Sequence, residues 1–446
     1  MKKTFLSLLG GCLLSYSAHA QWVSQPINFT PGLNNGYLDA IDGNSAWSVG
    51  IPLFSSTFVA PQAARTINGG QTWAVSNLPL PAGVTGVATA LSAPDASNAW
   101  VTLKAVNNPS IILHTSDGGQ NWTTQSNSAV YGSPNSYPDL IHMFSATEGI
   151  TIGDALNQLG PLEMYRTTDG GSTWNPLLNT LATEQDEFPT GTPPALVGSN
   201  IWFATSVGRV FHSADKGLTW AVATVDPNLN YATTVVFRDA LNGLLVAGDD
   251  QGTNHQLFRT TDGGMTWAAV PYSGPLHGLG LSAVPGTSLY VSAGLDIGNS
   301  DQGSSYSRDN GQTWVSIENN LAHFTTEFVS ANVGWSASFS PNSTTTGANR
   351  FSGTLLANRP DATLQASLTV SPNPAVGGRF ALRAAGSTGN RAATVRVLDS
   401  TGRLVQQRAW ASATPLDLDL SQQPAGLYVL EVQSASGTAR QKVVVQ

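Results

Sequence analysis

The sequence predicts an all-β chain, a seven-bladed β-propeller followed by a small immunoglobulin-like β-sandwich, and three of its features carry that prediction. A turn phrase ending in tryptophan recurs six times at near-constant spacing. A second phrase leading into an apolar strand recurs seven times, and the last 80 residues replace both with alternating apolar and polar runs between Gly and Pro turns. With 45 Gly, 12 Trp and only 11% charged residues, the composition suits a turn-rich, well-packed β protein and excludes disorder.

Residues 1–20 have the layout of a signal peptide: Lys2 and Lys3, an apolar stretch from Phe5 to Leu14, and Ala18-His19-Ala20 before the expected cut. The alternative reading, LGGC at 9–12 as a lipobox, leaves too short an apolar stretch ahead of Cys12. Cleavage after Ala20 removes the single cysteine, and with it disulfides, thiolate metal sites and thiol catalysis. No later run reaches the ~18 apolar residues of a membrane helix. Residues 21–366 carry 10 Lys and Arg against 24 Asp and Glu, so nucleic acid is not an expected partner.

The six turn phrases are RTINGGQTW, HTSDGGQNW, RTTDGGSTW, HSADKGLTW, RTTDGGMTW and YSRDNGQTW. They end at Trp73, Trp122, Trp174, Trp220, Trp267 and Trp314, with intervals of 46 to 52 residues that suit one four-stranded blade each. The strand phrases NSAWSVG, SNAWVT, TEGITIG, SNIWFAT, NGLLVAG and TSLYVSAG precede them, and NVGWSAS (332–338) is a seventh with no turn phrase after it. Residues 21–356 hold seven such units. Because a ring of sheets leaves open edges unless the last blade takes a strand from the other chain end, 21–29 is expected to complete the blade built from 322–356.

Within each turn the residue types have physical reasons. Asp117, Asp169, Asp215, Asp262 and Asp309, with Asn68 in the first copy, can accept hydrogen bonds from the N–H groups of their own tight turn. The glycines that follow permit positive φ. Each tryptophan is expected to cover its hairpin, worth ~3–5 kcal/mol on truncation.

These turns match S/T-x-D-x-G-x-T-W, so 21–356 resembles the Asp-box (bacterial neuraminidase repeat) propellers, most of all the photosystem II assembly-factor type. The resemblance implies boxes between the third and fourth strands of each blade, facing away from any ligand, with structural carboxylates. Sialidase chemistry is not expected: the FRIP phrase is absent, and Arg65, Arg166 and Arg259 share one repeat position, as architectural residues would. A glycosidase of another kind would need two facing carboxylates on the opposite, top face. Asp39, Asp139, Glu187 and Glu327 are the rim candidates, with Glu184, Asp186, His142 and His277 nearby. No cofactor or metal is expected: DIGNSDQG (296–303) misses the EF-hand spacing, and no H-E-x-x-H or phosphate loop occurs.

After LANRPDATLQA the repeat stops. A linker is expected at 357–366 and a separate sandwich at 367–446. That segment resembles the type A C-terminal sorting domain of the Bacteroidetes type IX secretion system, on Pro372-Asn373-Pro374, Asp399 with Gly402-Arg403, Gly426-Leu427-Tyr428 and the closing Lys442-Val443-Val444-Val445. The resemblance implies Sec export, passage across the outer membrane by the type IX machinery, and removal of the domain by a sortase. The resulting expectation is a secreted or surface-attached, non-catalytic binding or adhesion propeller for an extracellular protein or glycan. A glycoside hydrolase with a carboxylate pair on the top face, or an assembly scaffold, are the alternatives.

Overall fold

A computed structural model of the chain describes residues 21–52, 59–157, 159–177, 181–226, 229, 232–248, 255–295, 301–338, 347–353, 362–385, 392–400, 403–411, 414–434 and 437–446. The predicted signal peptide, residues 296–300 of DIGNSDQG, and Gly402 lie outside them. The chain divides into two compact units, Met1–Thr354 and Leu355–Gln446.

Unit one is built of seven four-stranded antiparallel sheets among the described residues. In the first, Asn34–Ala40, Ala46–Ile51, Gln62–Thr66 and Ala74–Asn77 pair in sequence order, and the turn phrase 65–73 links the third strand to the fourth. The same order repeats for five more sheets. The seventh joins Thr326–Ser330, Val333–Ser338 and Gly347–Phe351 to the N-terminal strand Trp22–Pro26, with Trp22 paired to Phe351. Successive sheets pack side by side, and the last packs against the first, so the sheets close into a ring.

The box geometry follows from its residue types. Asp309 accepts hydrogen bonds from Thr313 N (2.9 Å), Thr313 Oγ1 (2.6 Å) and Ser307 Oγ (2.9 Å), while Ser307 Oγ also accepts from Gly311 N (2.9 Å). Asn68 takes the same place in the first box, accepting from Thr72 N at 3.0 Å and donating its amide to Thr72 Oγ1 at 2.8 Å. The glycines at 70, 119, 171, 217, 264 and 311 all have φ between +81° and +90°, a region other residues enter only with strain. Asp309→Ala is therefore expected to lower stability by about 1 kcal/mol, kept small by partial solvent exposure, and Asp309→Asn by clearly less; urea unfolding of the two variants checks the order.

The tryptophans differ from expectation in one respect. Trp174 and Trp314 are buried, but the largest fully buried side chains include Trp47, Trp100, Trp202 and Trp335 of the strand phrases. These hold blades together: Trp47 donates Nε1–H to Asp95 O of the next blade (3.2 Å), Trp202 to Gly263 O (2.8 Å) and Trp335 to Asp42 O (2.9 Å). The box tryptophans pack on them edge-on across blade boundaries, Trp73 on Trp335 and Trp122 on Trp47, both at 6.0 Å between ring centroids. Arg65 and Arg350 reach the same neighbouring turns, at Ala96 O and Gly43 O. Their repeat position thus serves blade contacts.

Unit two is a sandwich of a three-stranded sheet (Leu368–Ser371, Arg379–Ala384, Leu416–Asp419) and a four-stranded one (Leu404–Ala411, Ala392–Leu398, Gly426–Ser434, Gly437–Val445). Phe380, Leu382, Trp410, Tyr428 and Leu430 form its core. Part of the segment expected as linker forms a short helix instead, Ala362–Ser367, because Leu364 has an apolar core to enter. Asn373 clips the last strand, donating to Lys442 O (2.8 Å) and accepting from Val444 N (3.0 Å). Tyr428 donates its hydroxyl to Pro424 O at 2.7 Å. Lys442 and Gly426 are exposed.

Candidate functional site on the face opposite the boxes

The boxes follow the third strand of each sheet, so they lie at the end where the first strand finishes, and the first strand begins at the opposite face. Register separates the four rim candidates accordingly. Asp39 sits opposite Trp47 and Glu327 opposite Trp335, one and two pairs away from the hairpins at the box end; Gly69 N, in the first box, donates to Asn44 O in such a hairpin. Asp39 and Glu327 are therefore corrected from the top rim to the box end of the innermost strands. Each accepts a backbone N–H from the next blade, Asp39 from Ala93 (2.7 Å) and Glu327 from Ala40 (2.8 Å). Ser92, opposite Trp100, does the same for Met143 N at 2.9 Å. Burial raises the Asp39 carboxyl to about 6, and burial together with the Asp39 charge raises Glu327 to about 8.

Glu187 does lie near the top face, and its carboxylate is fully engaged. It accepts from Thr205 Oγ1 (2.7 Å) and Glu184 N (2.8 Å), and pairs with Arg209 at 3.4 Å; Arg209 also reaches Glu184 at 3.3 Å. This network ties the loop 182–194 to the fourth blade. His277 is likewise committed, through Nδ1 to Asp301 Oδ1 at 2.9 Å, with His255 on the other Asp301 oxygen at 3.3 Å. His142 faces Ile150, toward the box end of its strand, and burial lowers it to about 4.

Asp139 is the candidate whose surroundings are those of a site. It lies near the start of the innermost strand Pro138–Met143, is 6% exposed, and is close enough to Asp154 of the adjacent strand for the two carboxyl groups to act on each other. Sequence reasoning missed Asp154: it lies at the end of TEGITIGDA, and only the pairing of the two strands brings it to Asp139. Neither Asp139 Oδ2 nor Asp154 Oδ1 meets an N–H or hydroxyl donor. Burial, helped by the Asp154 charge, raises the Asp139 carboxyl well above the ordinary range; burial, helped by the Glu163 charge, raises Asp154, against the lowering effect of its contact with Asp139 and of Lys104. Lys104 is close enough to act on Asp154, yet it donates to Pro134 O (2.6 Å) and Ser136 O (2.8 Å).

The pair opens on a cavity of about 560 Å3 whose walls include Tyr37, Tyr137, Phe188 and Phe324. A second cavity of about 390 Å3, walled by Leu38, Val197, Arg238 and Glu327, shares Thr192, Leu279 and Thr325 with the first, so the two form one axial channel. A shallower hollow lined by Glu184, Asp186 and Glu187 adjoins it through Asp154 and Phe188. The arrangement is an aromatic vestibule with a negative floor and an acidic rim. Among the described residues, no three His, Asp or Glu side chains converge to hold a metal ion.

Residues 369–446 match the family model described as the secretion system C-terminal sorting domain. No curated protein matches the chain in sequence. Among solved structures, the chain is similar to YCF48 bound to a D1 peptide, at 19% identity and a TM-score of 0.53 over 77% of this chain and 98% of that one. It also matches the Niastella koreensis GH74 enzyme (12% identity, TM-score 0.45, 92% of this chain and 71% of that one) and the Hadza microbial sialidase Hz136 (16%, 0.42, 73% and 66%). No helix among the described residues is long and apolar enough to cross a membrane. The chain is thus a β-propeller that carries a type IX secretion sorting domain at residues 369–446, which directs it to the cell surface or the extracellular space.

Proposed function

We propose that the exported propeller is a non-catalytic recognition module that binds an extracellular protein or glycan at the acidic top face, and that a sortase removes the sorting domain after export. The supporting observation is the condition of the top-face carboxylates. A glycosidase holds its two carboxyl groups about 5–9.5 Å apart, to admit either the sugar carbon alone or the carbon and a water. Asp139 and Asp154 come from adjacent strands of one sheet and act directly on each other, rather than facing each other across a bound sugar, and Glu187 is locked to Arg209 and Thr205.

A hydrolase acting through Asp139 draws support from one observation: burial in a cleft raises that carboxyl, as it does those of general acids. The two readings separate in one experiment. The mature chain, residues 21–446, incubated with a panel of polysaccharides and aryl glycosides, is expected to release no reducing ends above background, with Asp139→Asn indistinguishable from wild type. Turnover that disappears in Asp139→Asn would replace recognition by hydrolysis.

A further inference from the structure

We infer that the top-face vestibule takes a primary alkylammonium group, the side chain of a lysine presented by a partner protein, with the ammonium between Asp139 and Asp154 and its methylene stem against Tyr37, Tyr137, Phe188 and Phe324. The inference rests on the recognition reading above and names its partner chemistry. Three observations carry it. The two carboxyl groups meet at the wall of one cavity and act on each other, and their oxygens Asp139 Oδ2 and Asp154 Oδ1 receive no hydrogen from any N–H or hydroxyl donor. A compact cation with three N–H donors fits that point, whereas a guanidinium fork spreads along a single carboxylate.

The walls are aromatic and the floor is anionic, which suits an apolar stem ending in a charge and gives the cation ring faces as well as carboxylates. The cavity, about 560 Å3, lies within the range of small-ligand sites and has room for such a side chain. Finally, Lys104 acts on Asp154 only through its charge while its ammonium donates to carbonyls, and Arg209 is held by Glu184 and Glu187, so among the described residues neither of these cations hydrogen-bonds the pair. Two carboxylates suit an ammonium better than a metal ion, because no third His, Asp or Glu converges on them among the described residues.

On this reading one proton occupies the place of the cation in the unliganded protein, since two buried carboxyl groups that act on each other do not both ionise. Binding therefore displaces it: the N+–H groups of the incoming amine donate to both carboxylates, and the shared proton leaves to solvent. The other titratable groups around the pair are Tyr37, Tyr131, Tyr137, Glu163 and Lys104. At pH 6–7 the tyrosines stay neutral and Lys104 stays charged, so the pair is the source of the released proton.

The test is calorimetric titration of the mature chain with Nα-acetyl-lysine methylamide and, as control, its Nε-acetylated form. Saturable binding is expected, with a dissociation constant on the order of 1 mM for so small a probe. The acetylated probe should bind at least tenfold more weakly. Repetition in buffers of differing ionisation enthalpy should show proton release near one per site. Asp154→Asn, half-buried and milder than a change at Asp139, should weaken binding tenfold while leaving the melting curve cooperative.

The wild-type titration decides even if the variant misfolds. No saturation, equal binding of the acetylated probe, or binding without proton release would overturn the inference. Such a failure leaves the recognition reading standing if the chain still retains partners on a glycan or protein array, whereas glycan turnover would remove that reading whatever the amine does.

Discussion

Replacing Trp22 by alanine is expected to lower the unfolding free energy of the propeller by about 3–5 kcal/mol, the range for a buried aromatic truncated in a core, and to do so by loosening the ring closure. Trp22 is 2% exposed and packs edge-on against Phe351 (5.2 Å between centroids) and Phe328 (5.7 Å). Its Nε1–H donates to Ser304 Oγ at 3.0 Å, across the boundary with the sixth sheet. His323 lies 4.8 Å from its ring and is held by Glu318 and Ser336. Removing the indole leaves a cavity in the one blade assembled from both chain ends, and an orphaned Ser304–Glu318 pair beside it. Equilibrium denaturation should show the lower midpoint, and hydrogen exchange should rise first along Trp22–Pro26 and Gly347–Phe351. An unchanged midpoint would mean that the N-terminal strand does not fasten the ring.

The second large effect concerns pH. Asp39 and Glu327 both have raised carboxyl values in the folded protein, about 6 and about 8. A carboxyl raised by folding binds its proton more tightly in the native state than in the unfolded chain. The stability it contributes is therefore complete below the unfolded value near 4 and is lost as pH rises through the folded value. The wild-type protein is expected to lose stability from about pH 5 to about pH 9, by several kcal/mol for the two groups together. Glu327→Gln keeps an acceptor for Ala40 N–H without a titrating proton and should flatten most of the upper part of that profile. Toward acid the sign reverses: Asp262 and Asp309 have lowered values because of their hydrogen bonds to Thr266 and Thr313, and their contribution disappears as they are protonated. Thermal melts of both proteins across pH 3–9 would show a mildly acidic maximum for wild type; an equally steep alkaline limb in Glu327→Gln would contradict the assignment.

Much of the fold was legible because it is periodic. The Asp, Gly and Trp of each box must recur wherever a hairpin needs the same turn, and NVGWSAS without a box, paired with QWVSQPINF at 21–29, pointed to a blade completed by the N-terminal strand. The burial hierarchy was not legible: Trp47 and Trp335 carry more of the packing than their box partners, since a strand side chain is covered by two neighbouring blades and a turn side chain by fewer. The same limit applied to the acids. Asp39 and Asp139 both read as innermost-strand carboxylates, yet Asp39 opposite Trp47 belongs to the box end and Asp139 to the top. Asp154 gave no signal at all, because its role exists only through its neighbour on the adjacent strand.

What the sequence determined by itself was the repeat, its closure and the sorting domain, since turn chemistry and strand alternation are local and every copy states them again. What only the tertiary structure decided was which carboxylates meet. Register and channel position set that, and they move a side chain from a paired core position to a ligand-facing one with no change in residue type. The raised carboxyls of Asp139 and Asp154 are a property of their burial and proximity, and neither residue's place along the chain encodes it.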